Sequence, residues 1–244
     1  MPNPYFRFKQ FTVYHDRCAM KVGTDGVLLG AWVDVTHAQR ILDIGTGSGL
    51  IALMLAQRST ATLATIGAID IDREAFEQAR QNIVDSPWPH RVQAYHCSLQ
   101  RYAEMASTHY DLLVANPPFF QVTPTPATSA RSTARQSHYL SPDDLLCFSS
   151  ALLGETGRLA VIYPVETAED FLRLAVQYGF TCSRTLQVKP KHHLPVKRTL
   201  LELTRCKMSD LAAYQQDTLV IEEDERYQYT PQFIDLIKDF YLKY

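Results

Sequence analysis

Short apolar runs along this chain alternate with longer segments in which apolar residues recur every three or four positions, and this predicts strands interleaved with helices. Arg40 to Ile44 reads as a strand before a glycine turn, and Ser48 to Gln57 as the helix after it. Thr65 to Ile69 is the next strand. Asp72 can cap a helix that runs to about Val84, with Glu74 and Glu77 near its positive end. Val92 to Cys97 and Leu112 to Ala115 give two more strands. Ser141, Pro142 and Asp144 form a helix-start signal: a capping hydroxyl, a proline in the first turn and an acid three residues on. Leu159 to Tyr163, a helix from Glu166 ending at Gly179, and Thr181 to Val188 continue the alternation. Thr199 to Thr204 follows through a loop too short for a crossover helix, so the last pair is expected to be antiparallel. Such a pattern predicts an α/β domain whose mostly parallel sheet is covered by helices.

Two segments lie outside this plan. Residues 1–39 mix Phe6, Phe8, Phe11 and Tyr14 with Arg7, Lys9 and Arg17, and are expected to form an extension that closes over the site of a domain spanning 40–244. Gln121 to His138 is rich in Thr, Ser and Pro and too long for an ordinary connection in a compact domain. Both are expected to flank the substrate.

A length of 244 residues with 46% hydrophobic and 20% charged side chains suits one large α/β domain better than two. The longest apolar run is Leu50 to Ala56, far short of a membrane span, and the first residues lack the order of a signal peptide, so a cytoplasmic protein is expected. Five scattered cysteines without a C-x-x-C pair suggest buried thiols rather than a disulfide frame or zinc site. Net charge is only −2, but its distribution is uneven. Residues 1–21 carry four Lys/Arg and one acid, residues 116–141 two and none, and residues 184–207 seven and one. Such segregation fits a positive face meeting a polyanion.

The chemistry concentrates in two motifs. The first, Leu42-Asp43-Ile44-Gly45-Thr46-Gly47-Ser48-Gly49, joins a strand to a helix, and its alternate glycines let backbone approach a ligand with no Cβ in the way. Leu50 breaks the dinucleotide fingerprint, and the D-x-G-x-G-x-G spacing instead resembles the first motif of class I methyltransferases, where it wraps the methionine part of the cofactor. The next strand ends in Ile69-Asp70-Ile71-Asp72, 21 residues after the last motif glycine. A carboxylate there can accept bonds from both ribose hydroxyls, and Asp70 is the candidate. In Cys97-Ser98-Leu99-Gln100 the family usually has an Asp that binds the cofactor's adenine amine, and this chain has Ser98.

The second motif, Asn116-Pro117-Pro118-Phe119, follows the strand Leu112-Leu113-Val114-Ala115. Two prolines fix the backbone just outside a strand's carboxyl end, where open α/β sheets place ligands. Asn116 offers a carbonyl acceptor, Pro117 a backbone carbonyl and Phe119 a π-face. Together they could hold an sp² amine while its ring stacks.

These motifs resemble the N-P-P-[YF] methyltransferases of amino and amide nitrogens, which include adenine-N6 enzymes and release-factor glutamine methyltransferases. Phe8-Lys9-Gln10-Phe11, Met20 to Trp32, Tyr229-Thr230-Pro231-Gln232-Phe233 and Asp239-Phe240-Tyr241-Leu242 narrow the resemblance to the bacterial tRNA1(Val) adenine-N6 methyltransferases, which act on adenine 37 beside the anticodon. The resemblance implies a Rossmann-like class I methyltransferase fold with a mostly parallel seven-stranded sheet and an antiparallel last strand. It also implies S-adenosylmethionine as cofactor, tRNA as partner, and Lys21, Gly23, Thr24 and Asp25 lining the cofactor pocket alongside Asp43, Gly45, Gly47, Gly49, Asp70, Ser98 and Asn116. Phosphate contacts are expected from Arg131, Arg135, Lys189, Lys191, Lys197 and Arg198.

The sulfonium of such a cofactor is already a good methyl donor, so alignment does most of the work and no metal is expected. His192 and His193 lie adjacent in a basic loop without further ligand spacing. A monomer is expected. Two other readings remain: a protein glutamine N5-methyltransferase, because an amide presents similar N–H geometry, and a non-catalytic subunit that binds S-adenosylmethionine and RNA.

Overall fold

The computed structural model describes residues 3–117, 140–205 and 214–244. In chain order the elements are β1 (Tyr5–Arg7), β2 (Thr12–Tyr14), α1 (Thr24–Trp32), β3 (Arg40–Ile44), α2 (Leu50–Arg58), β4 (Thr65–Asp70), α3 (Arg73–Val84), β5 (Val92–His96), α4 (Leu99–Met105) and β6 (Tyr110–Ala115). After the undescribed stretch come α5 (Pro142–Leu152), β7 (Leu153–Pro164), α6 (Val165–Gln177), β8 (Thr181–Lys191), β9 (Arg198–Thr204), β10 (Gln215–Glu222) and α7 (Pro231–Ile237).

Strands β3 to β10 form one sheet in the order β10-β8-β9-β7-β6-β3-β4-β5, with β9 antiparallel to both neighbours and every other pair parallel. The expected seven strands and the antiparallel β9 are present. An eighth, β10, adds itself in parallel beside β8 at the edge. Its sequence opens on Gln215, Gln216 and Asp217, and only Leu219 is buried, so it carries almost none of the apolar pattern of an inner strand.

Inner strands are apolar at nearly every position because both faces are covered. Ile41, Leu112 and Val114 point into one core, shared with α1, α2 and α7, while Leu42, Ile44, Leu113 and Ala115 point into the other, shared with α4, α5 and α6. Helix α2 is buried from Leu50 through Ala56, since the sheet covers one side and α1 the other. Gly30 of α1 allows that approach: a Cβ there would meet Met54 Sδ at 2.8 Å.

Local chemistry sets the helix ends. Asp72 accepts from Ala75 N at 2.9 Å and caps α3. Ser141 accepts from Asp144 N at 3.0 Å and donates to its carboxylate at 2.9 Å, so α5 starts at Pro142 as its capping signal predicts. Gly179, in the left-handed region at φ 78°, follows the end of α6.

The described residues before β3, 3–39, join the main core. Phe8, Phe11 and Val13 are buried with α1, and Phe6 and Phe8 meet Tyr241 of the C-terminal tail edge-on at 5.4 and 5.9 Å. The Lys9 ammonium donates to the carbonyls of Lys238 and Tyr244. Lys9 therefore stitches the two ends of the chain together. Among the described residues, no helix is long and apolar enough to cross a membrane.

Candidate active site

The chain runs β3, β4, β5 outward in one direction and then returns to place β6 on the other side of β3. Adjacent loops therefore diverge at the carboxyl ends of β3 and β6, the place where open α/β sheets leave a crevice. A cavity of about 350 Å³ lies there, bounded by Gly45, Gly47, Asp70, Ser98, Asn116 and Pro117 among others.

The glycine turn forms its floor. Gly45 N and Thr46 N both donate to Ile69 O at 2.9 Å, which folds the turn back on the end of β4. Gly45, Gly47 and Gly49 have φ of 69°, 56° and 81°, the left-handed region in which a side chain is strained. A Cβ at Gly49 would press on Ala79 of α3 at 3.4 Å, whereas at Gly45 or Gly47 it would meet no protein atom within 4 Å. The outer glycine serves packing, and the first two leave open space for a ligand.

Asp43 works from beneath. Its carboxylate accepts from Thr46 Oγ1 at 2.5 Å and from Ala52 N at 3.1 Å, tying turn to helix, and it is fully buried and does not line the cavity. Burial holds its pKa up at about 7, against the opposing pull of those two bonds. Asp43 thus shapes the turn rather than reaching into the cavity.

Asp70 does line it. One carboxylate oxygen accepts from Gly47 N at 2.8 Å and the other from Asp72 N at 2.9 Å. Each oxygen keeps a second lone-pair site for a ligand. Burial raises the Asp70 pKa above the ordinary carboxylate value. Ser98 also borders the cavity, while its Oγ accepts from Arg101 N at 3.2 Å to cap α4. The hydroxyl's proton is left to donate. Asn116 and Pro117 close the side at the end of β6, and Asn116 Oδ1 is buried with no hydrogen-bond partner among the described residues. A buried acceptor without a donor costs about 1–3 kcal/mol, a cost usually found where a ligand supplies the missing group.

The N-terminal wall differs from expectation. It is made by Cys18, Ala19 and Met20 rather than by Lys21, Gly23, Thr24 and Asp25. Gly23 and Thr24 begin α1, and the Asp25 carboxylate is held by Arg198 Nε at 2.8 Å. Gly26 sits behind Asn116, where a Cβ would lie 3.9 Å from Asn116 Nδ2. This motif thus packs α1 against the back of the site. Burial pushes the Cys18 thiol up to about 12, which keeps it protonated. Ile71, Leu99, Gln100 and Leu140 also border the cavity and carried no signal beyond their neighbourhood to the motifs.

Asn82 of α3, fully buried, connects wall to floor. Its Oδ1 accepts from Tyr14 N at 3.0 Å, and its Nδ2 donates to Tyr14 O and Ser48 O, both at 2.8 Å. Asn82→Ala is expected to cost about 2–3 kcal/mol, because one buried and two part-buried backbone groups lose their partner at once. A urea-unfolding midpoint equal to that of the parent protein would show the bridge to be unimportant.

The basic residues divide between the two edges of the sheet. Lys189, Lys191, Lys197 and Arg198 lie where β8 ends and β9 begins, the same edge as the cavity, because β8 runs parallel to β6 and β7. Lys197 is exposed, whereas Lys189 Nζ donates to His192 O and Lys191 Nζ to Asp224 O, each at 2.7 Å. Glu223 and Asp224 approach His192 and His193 at 3.2 and 3.8 Å, so acids from the turn after β10 offset part of this charge. Arg184 is committed at the far edge, 3.3 Å from buried Glu202 and stacked over Trp32. Phe119, Arg131 and Arg135 lie outside the described residues, as does Pro118. Among the described residues no cluster of three or more metal-ligating side chains comes together.

Comparison with known proteins agrees with this geometry. The Methyltransferase small domain family matches residues 18–162. The tRNA1(Val) (adenine(37)-N6)-methyltransferase of Trichodesmium erythraeum is 54% identical over 98% of both chains, and its namesake from Parabacteroides distasonis is 47% identical over the full length of both. Among solved structures, a predicted O-methyltransferase, protein Atu636 from Agrobacterium tumefaciens, superposes with a TM-score of 0.66 at 18% identity, over 88% of this chain and 96% of that one.

Proposed function

The chain belongs to the tRNA1(Val) (adenine(37)-N6)-methyltransferase family, and from that premise we propose that it transfers the methyl group of S-adenosylmethionine to N6 of adenine 37 in tRNA1(Val). The observation that carries the reading is Asn116 Oδ1, a buried acceptor without a donor among the described residues, set in the same cavity as Asp70 and the open side of the glycine turn.

The residues fit the cofactor. Asp70 would accept from the ribose hydroxyls with the lone pairs its backbone bonds leave free, and the absence of any Cβ at Gly45 and Gly47 leaves room for the methionine part. Ser98, whose oxygen is used as a cap, would offer a hydroxyl donor to a ring nitrogen of the cofactor's adenine instead of an acceptor to its amine. S-adenosylmethionine supplies a methyl group already activated by its sulfonium.

The chain's own part is alignment and charge. Adenine N6 is conjugated with its ring and weakly nucleophilic. Asn116 Oδ1 and the Pro117 carbonyl would each accept one N6–H bond, which draws the nitrogen toward tetrahedral geometry and stabilises the positive charge that develops on it. Pro117 restrains the main chain at the end of a buried strand, which limits how far the backbone carrying these acceptors must reorganise as charge appears. The target base must leave the anticodon loop to reach them, and the proposed stacking wall is Phe119. Residues 1–39 would serve as the closing side of this site through Cys18 to Met20, and the cytoplasm would be its place of action.

Tritium transfer from labelled cofactor tests the reading. We expect label in unmodified tRNA1(Val), lost when adenine 37 is replaced by guanine. Label in a release factor instead would assign the protein to glutamine methylation, and label in neither substrate would overturn catalysis.

Phosphate contact is proposed for the basic loop beside the cavity. Lys197→Glu is expected to weaken tRNA binding and to lower the slope of log affinity against log salt by about one. Arg198→Glu should do more, since it also breaks the bond to Asp25. Equal slopes for Lys197→Glu and parent protein would turn the loop toward solvent.

A further inference from the structure

The β1–β2 hairpin presents two different faces. Tyr5 pairs with Tyr14 and Arg7 with Thr12, so alternation puts Tyr5, Arg7, Thr12 and Tyr14 on one side, and Phe6 and Val13, which join the core, on the other. Tyr5 and Tyr14 are 40% and 42% exposed, with ring centroids 5.6 Å apart. Two large rings are thereby held side by side at the surface, where the core has no use for them. Arg7 on the same face and Arg17 and Lys21 just beyond it are exposed cations, against one acid, Asp16, in this stretch.

This face is fixed to the cavity. The Asn82 side chain binds both backbone groups of Tyr14 and the Ser48 carbonyl of the glycine turn. Four residues beyond Tyr14 the chain becomes the cavity wall at Cys18 to Met20. Buried His15 holds the segment between them, with Nε2 3.0 Å from Asn3 O and Nδ1 accepting from Val22 N at 3.4 Å.

We propose that the Tyr5–Tyr14 face is a stacking platform for unpaired RNA nucleotides flanking the base taken into the cavity. The inference rests on the reading of that cavity as an RNA adenine methyltransferase site. Turning one base out of a loop strips its neighbours of a stacking partner, and aromatic faces beside cations replace that partner without regard to sequence. Positive charge around the rings favours a polyanion, and continuity with the cavity wall places the platform beside the reacting base.

The test measures binding of unmodified tRNA1(Val) transcript, and of its isolated anticodon stem-loop, to the parent protein, to a Tyr5→Ala/Tyr14→Ala double variant and to a Tyr5→Phe/Tyr14→Phe double variant. The alanine pair is expected to bind both RNAs about tenfold or more weakly, and the phenylalanine pair within about twofold of the parent. Thermal midpoints establish that the variants fold. Arg7→Glu supplies an independent variant, expected to weaken binding and flatten its salt dependence. Parental affinity in the alanine pair, or equal losses in both pairs, would overturn the platform. So would a dimer in sedimentation velocity that only the alanine pair loses while its RNA affinity stays parental, because the face would then meet a second copy. If the parent protein methylates the transcript and the alanine pair binds it normally, only the platform falls. If the parent protein neither binds nor methylates it, the functional reading falls first.

Discussion

Asn116→Ala is expected to slow methyl transfer at saturating substrates by a hundredfold or more, with much smaller changes in the binding of cofactor or tRNA. The acceptor it removes has no donor among the described residues. Asn116 Oδ1 is buried and has no partner among the described residues, so its truncation removes no described hydrogen bond of that oxygen and is expected to change the thermal midpoint little. Its effect should therefore fall on the step in which N6 becomes cationic. One preorganised group aimed at developing charge is worth about 3 kcal/mol in a dry site, which is the hundredfold. Asn116→Asp separates charge from orientation: it keeps an acceptor but replaces the amide NH2 by a second oxygen and adds a negative charge. Slow turnover with intact cofactor binding is the expected result for that variant. Single-turnover methylation of tRNA1(Val) is the measurement, and a near-parental rate for Asn116→Ala would reduce Asn116 and Pro117 to a structural turn.

The inner half of the fold was legible because burial on both faces writes itself into composition. β3, β4 and β6 are mostly apolar, and the residues that cap α3 and α5 have few other uses. β10 was not legible: a polar edge strand beside β8 is dictated by the position of its neighbour, not by its own pattern. Helix α1 was hidden for a related reason, since it is apolar almost throughout and lies between α2 and β7, leaving little amphipathic signal.

The site divides along the same line. Where the cavity is built from backbone geometry, as at Gly45, Gly47 and Asn116-Pro117, residue type and spacing point to the position directly. Where it needs a side chain brought from elsewhere, spacing is silent. Asp25 is expected at the pocket through the family resemblance alone, and its carboxylate accepts from Arg198, 173 residues away. Asp43 and Asp70 look alike on paper and differ because one faces into the turn and the other into the cavity. The wall at Cys18 to Met20 carries no chemical signature, since shape is all it contributes.

Asp70→Ala is expected to weaken S-adenosylmethionine binding by about 3 kcal/mol, roughly a hundredfold in Kd, through loss of charge-assisted bonds to two hydroxyls in a partly buried site. pH then distinguishes this role from a structural one. Burial raises the Asp70 pKa, the bonds from Asp72 N and Gly47 N oppose it, the Asp72 charge adds to it, and His96 lowers it. A carboxyl whose folded pKa is raised contributes stability that is full below its unfolded value of 3.8 and is lost as pH rises through the folded one. For the free protein, then, ionising Asp70 costs stability. Cofactor binding has the opposite sign, because the ionised form accepts from the ribose and favours a cationic ligand. The cofactor-induced rise in thermal midpoint should therefore grow with pH as Asp70 ionises, even while the free protein loses stability. Burial holds the Asp43 pKa up at about 7 and gives it the same sign in the free protein, but Asp43 lies beneath the turn and does not line the cavity, so its contribution is expected largely to cancel from the difference. Asp70→Asn should abolish the growth with pH. A cofactor-induced shift that is flat with pH in the parent protein, or equally steep in Asp70→Asn, would remove Asp70 from the ribose and leave it only its bonds to Gly47 and Asp72.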